Sequence, residues 1–214
     1  MRWPALASIL LLIAPPTARA GADPAPLEAW VRQQAKIRSL EADFTQERRL
    51  PSLKRPVTTK GRLAFRRPGF FRWELGTPPT TIAAADGSSL ILADTAKMRA
   101  RRIPLDSPEA RRFTLLAGDA FASLEAFRKA FELRESRMDN GTYQATLRPL
   151  DRRMRSKIPW VFLTIAPAES KLLAMEIELS DGSRIRSLFT RTRINPELPD
   201  SRFHLDLSGY KVHQ

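Results

Sequence analysis

No cysteine occurs among the 214 residues. That excludes disulfide staples, thiolate nucleophiles and thiolate metal sites. It also leaves nothing to acylate in the manner of a bacterial lipoprotein. Histidine is almost missing as well: His204 and His213 are the only two, and neither has a metal-ligand partner close by in sequence. A G-x-S-x-G elbow, a P-loop and a dinucleotide fingerprint are all absent. The carboxylates are scattered as on a solvated surface. The chain is therefore expected to be neither an enzyme nor a holder of a cofactor or metal.

Acidic charge is also scarce. Asp and Glu number 23 against 36 Lys and Arg, a formal net charge of +13. Arg2 and Arg19 carry two of these charges, so residues 21–214 keep +11. Such a balance favours anionic partners, whether lipid headgroups, nucleic acid or acidic protein faces, although many of these charges also suit solvated strand faces.

Long apolar runs are the third shortage. The best is residues 5–14 (ALASILLLIA), preceded by Arg2, broken by Pro15-Pro16 and followed by Ala18-Arg19-Ala20. A span needs about 20 apolar residues; this run is half that and has the layout of a secretory signal with cleavage after Ala20. Export argues against nucleic acid as a partner. The remaining residues 21–214 suit a single domain, expected to be soluble and monomeric, with a core large enough to fold unstapled.

What is present is mostly strand. Pro26 opens a helix carrying Leu27, Trp30, Val31, Ile37 and Leu40 at roughly helical spacing. Near Leu40 the period changes to two, with Leu40, Ala42 and Phe44 alternating against Glu41, Asp43 and Thr45. Strands are then expected at 61–65, 71–75, 80–85, 89–93 and 97–103, with Asp86-Gly87 as a turn between two of them. Ser107-Pro108-Glu109 caps a helix reaching Leu116, and Gly118 stops it. A third helix is expected from Asp119, with Phe121, Leu124, Phe127 and Phe131 on one side. Strands resume at 131–138 and return at 142–147 through Asn140-Gly141. Residues 148–157 read as a basic loop. Residues 160–165, 172–179 and 183–192 form a meander, and 203–207 a closing strand. The sum is a mainly β (α+β) chain of about ten or eleven antiparallel strands with about three helices, a sheet large enough to curl or close.

The most specific stretch is residues 61–79, GRLAFRRPGFFRWELGTPP, preceded by Asp43-Phe44-Thr45-Gln46 and followed by Ile82 and Asp86-Gly87. With Phe44 and Gln46, Gly61, Arg66-Arg67-Pro68, Phe71, Trp73 and Pro78 in this order, it resembles the outer-membrane lipoprotein carrier family, LolA. Asn195, Leu198, Phe203 and Leu205 resemble the family's ending. The resemblance implies a curved, incompletely closed antiparallel β-barrel whose helices cover an apolar cavity. It also implies a periplasmic carrier that takes up lipoprotein acyl chains, receives cargo from an inner-membrane extraction complex and passes it to an outer-membrane acceptor. By alternation the inward residues are Phe44, Leu63, Phe65, Phe71, Trp73, Ile82, Leu90, Leu92 and Met98, with Leu115, Leu116, Phe121 and Leu124 as helical cover. Whether they line a cavity or fill a core stays open at this level. The family's lid arginine falls on Arg67, with Arg66 as the adjacent register. Guanidinium suits that task because its fork of donors reaches several backbone carbonyls. Two other functions share the resemblance: a paralogue carrying another, polyene-like lipid, and an envelope-stress sensor module.

Overall fold

A computed structural model describes residues 22–110 and 118–213. The expected signal segment, its cleavage point, and Leu115 and Leu116 lie outside the described residues. Helix α1 (Ala25–Gln34) begins with Pro26 in its first turn and buries Leu27, Trp30 and Val31. It stops short of Ile37 and Leu40, which were expected to continue it.

Six strands follow as a meander: β1 (Ser39–Arg49), β2 (Val57–Arg66), β3 (Phe70–Gly76), β4 (Pro79–Asp86), β5 (Ser89–Asp94) and β6 (Arg99–Pro104). Residues 108–110 are helical, and the Ala110 amide donates to Ser107 Oγ at 3.2 Å. The helix expected from Asp119 is two pieces. A 3-10 turn covers Asp119–Phe121, and α2 (Leu124–Ala130) starts afresh, because Ser123 turns extended and its hydroxyl accepts the Ala126 amide.

A second meander comprises β7 (Phe131–Asp139), β8 (Thr142–Pro149), β9 (Trp160–Ala166), β10 (Lys171–Glu178) and β11 (Arg184–Ile194). The expected loop at 148–157 contains a short helix, α3 (Arg152–Arg155), capped by Asp151 and anchored by buried Met154. The strand expected at 203–207 is absent. After a 3-10 turn at Asp200–Arg202 the chain crosses a sheet face, and the last strand is β12 (Lys211–His213), parallel to β6. Phe203, Leu205 and Leu207 do alternate, but the strands beneath them are already paired on both edges. Their apolar side therefore packs on the face instead of joining a ladder.

The twelve strands of the described residues form one sheet, ordered β12-β6-β5-β4-β3-β2-β1-β11-β10-β9-β8-β7, with the meanders joined along β1 and β11. Register places Phe44 opposite Gly61 and Phe189, Phe65 opposite Phe71, Phe71 opposite Ala85, and Leu90 opposite Ile103. These residues share the concave face. Residues from β6 and from β10 border one space although they stand seven places apart in the sheet order, so the sheet curls. Helices α1 and α2 pack with β7, β8 and β9 through Trp30, Phe121, Phe127, Phe131, Tyr143 and Leu163. On the convex face Ile82, Ala84, Ile91 and Ala100 lie under Leu205, Leu207 and Tyr210.

Candidate ligand cavity

Among the described residues, two apolar spaces lie on the concave side of the curl. The larger, about 720 Å³, lies between β3–β5 and the facing strands β10 and β11. Phe71, Trp73, Leu75 and Leu92 form one wall and Met175, Ile177 and Ile185 the other. It opens at a rim that includes the exposed Arg99, Arg101 and His213. The smaller, about 100 Å³, lies beneath Trp30, Gln34 and Ile37, over Leu63, Phe65 and Phe189. Phe71, Trp73 and Met175 border both spaces. The two spaces thus share a wall, the larger being the roomy open end of the concave side and the smaller its tight end under α1.

Alternation decides the adjacent arginines. Consecutive strand residues point to opposite faces. Arg67 follows β2 on the concave side, where its Nη1 donates to the carbonyls of Gln34 and Ala35, each at 3.3 Å. These are the last acceptors of α1, where the helix dipole is negative. Burial lowers the Arg67 pKa from its usual value, and the nearby Asp119 charge opposes that shift. Arg66 faces the other way. Its guanidinium lies 4.2 Å from the Phe70 ring, donates to the Leu198 carbonyl at 2.6 Å and pairs with Asp200.

The structure separates the other expected site residues. Phe71, Trp73 and Leu92 border the larger space, and Leu63, Phe65 and Phe121 the smaller one. Phe44 and Leu90 sit in the packed wall: Phe44 backs Trp73 at 4.2 Å between ring centroids, and Leu90 packs with Phe71, Ala85 and Ile103. Leu124 packs on the α1–β8–β9 cluster. Ile82 packs in the convex cluster, although it also touches the rim of the larger space. Met98 is exposed in the β5–β6 turn at a positive φ of 48°. Alternation could not see that its strand begins one residue later.

The facing wall on β10 and β11 lies outside the residues expected from the sequence to line a cavity. Its signal was available: Met175 and Ile177 alternate with Glu176 and Glu178, and Ile185 sits between Arg184 and Arg186. Among the described residues no cluster of three or more His, Asp or Glu side chains is placed to hold a metal ion.

An open antiparallel half-barrel with an apolar cavity on its concave side and helices across one end is the build of a carrier of apolar ligands. The family model of the outer membrane lipoprotein carrier protein LolA matches residues 35–206, and the chain belongs to that family. The family is periplasmic, and its members are carriers and not enzymes. An outer-membrane lipoprotein carrier protein of Pseudomonas fluorescens is 26% identical over 204 residues, covering 93% of this chain and 92% of its own. One from Bordetella avium is 28% identical over 202 residues, with coverage of 91% and 88%. Among solved structures, a DUF1329-family protein of Desulfovibrio piger shares the fold at a TM-score of 0.51 and 11% identity, covering 84% of this chain and 96% of that one.

Proposed function

We propose that this protein is exported with cleavage after Ala20 and works as a soluble periplasmic carrier. It takes the acyl chains of lipoproteins into its apolar cavity and shuttles them from the inner to the outer membrane. The larger space carries this reading: at about 720 Å³ and walled by apolar side chains, it falls in the range of roughly 300–1,000 Å³ expected of ligand sites. Each buried methylene is worth about 0.8 kcal/mol. Acylated cargo therefore does not leave a bilayer unaided, and a donor complex at the inner membrane must perform the extraction. Delivery to an outer-membrane acceptor moves the chains from one apolar site to another and needs little net free energy. In this scheme Arg67 latches the end of α1 over the tight end of the cavity, and cargo entry loosens that latch.

The test is to purify the exported protein from a native periplasm and identify the co-purifying molecules by mass spectrometry. Acylated polypeptide is the expected result. Free lipid alone would redirect the reading to a carrier of another lipid, and an empty cavity under native conditions would overturn both.

A further inference from the structure

We propose that the open end of the barrel is a docking surface for an anionic lipid bilayer. In a meander, alternate turns fall at the same end of the sheet. The β1–β2 turn (50–56), the β5–β6 turn (95–98), the β8–β9 connection (150–159) and the β10–β11 turn (179–183) all lie at the end where the larger space opens. Two contacts knit three of them together. The Ser180 amide donates to the Lys157 carbonyl at 2.9 Å. Gly182 stands beside Pro51, whose Cγ would be 3.7 Å from a Cβ placed there.

These turns carry a concentrated positive charge. Lys54, Arg55, Arg152, Arg153 and Lys157 are exposed, and none has an acidic partner within 4.0 Å among the described residues. Acid on the same turns is engaged locally: Asp151 caps α3 through the Met154 amide, and Asp181 accepts the Ser183 amide. Large apolar side chains stand among the cations. Leu53, Val57 and Leu150 are 47%, 48% and 42% exposed, three of the seven exposed large hydrophobics of the described chain. The opposite end is mixed in sign, with Asp86, Asp119 and Glu169 beside its turns.

Isolated apolar tips set among unpaired cations suit a headgroup layer. Such a layer takes shallow apolar insertions and attracts basic side chains without demanding a shaped partner face. A protein partner would instead be met by a contiguous, depleted-charge core. Docking in this orientation sets the mouth of the larger space directly over the lipid. The surface does not depend on what the cavity carries, because binding is measured on cargo-free protein.

The experiment is co-sedimentation of the exported form with vesicles of phosphatidylglycerol mixed into phosphatidylcholine, compared with phosphatidylcholine alone. Binding is expected to the anionic vesicles only and to fade as salt is raised. Removing Lys54, Arg55, Arg152 and Arg153 together (K54A, R55A, R152A, R153A) should cost about five-fold in partitioning per charge. Lys36→Ala with Arg38→Ala, which removes exposed charge from the other end, should cost far less. Equal binding to neutral vesicles, or equal loss from both sets of substitutions, would overturn the proposal. So would binding to polyglutamate without binding to vesicles, which would assign the patch to an acidic protein face.

Discussion

Gly61 is where a single missing atom shapes the cavity wall. The Phe44 ring lies across it, and a Cβ at position 61 would stand 2.2 Å from Phe44 Cζ and 2.6 Å from the Glu74 carbonyl oxygen. The ring has no room to retreat, since it is backed by Trp73 and Phe189. Gly61→Ala should therefore destabilise the fold by about 1–3 kcal/mol through overpacking. A urea titration checks this, with a lower midpoint and an unchanged slope as the expected result; a wild-type midpoint would refute it. The family pattern contains both residues, yet only the register, with Phe44 opposite Gly61, gives the reason for the glycine. Glu74 was less legible. In sequence it alternates outward with Arg72, as a solvated face would. In the structure it is 4% exposed, and it accepts from Arg72 Nε at 2.7 Å while Arg72 holds the His204 carbonyl at 2.9 Å. Nothing local announces that a distant segment will cover it.

Helix α1 is held at its two ends by different means. Its body is fixed by Trp30 and Val31 in the cluster with β8 and β9, whereas its last turn rests on Arg67. The two Arg67 hydrogen bonds are long, so Arg67→Leu should cost about 1 kcal/mol of stability. The effect should be local. Hydrogen exchange is expected to speed up at Ala35 and Ile37, whose amides donate to Val31 and Gln34, while β8 and β9 stay protected. Unchanged exchange at those amides would remove the latch. Helix boundaries were readable where a cap or a proline marks them, as at Pro26 and Ser107. They were not readable where apolar spacing ran on past the helix end, as at Ile37, whose side chain packs inward from a turn.

For the whole molecule, the sheet needs cover on both faces, and the second cover comes from the C-terminal segment. Phe203 is 1% exposed and packs with Ala64 and Leu198; its ring touches that of Phe70 at 5.4 Å between centroids, and the Arg66 guanidinium rests against both. Phe203→Ala should cost about 3–5 kcal/mol, measured by thermal or chemical unfolding; a loss under 1 kcal/mol would show the cover to be dispensable. Removing residues 203–213 should be worse in kind. It bares Ile82, Ala84, Ile91 and Ala93 as one apolar patch, and light scattering should then report self-association. Monodisperse protein after truncation would contradict this.

The absence of thiol chemistry, the β-rich class and most strand positions follow from the order of residues alone. So does the set of side chains that share a face of a strand, because composition, turn residues and a period of two are all local. Which face is concave is a matter of tertiary packing, because a two-residue period is symmetric between faces until the sheet curls and covers arrive. That is why Phe71 and Ile91 look alike in sequence yet one borders the cavity while the other packs under Leu205 and Leu207. The same holds for volume. Leu90 and Leu92 are equally apolar, but the packing around Leu90 is complete, whereas Leu92 looks across empty space to Ile177 on a strand six places away.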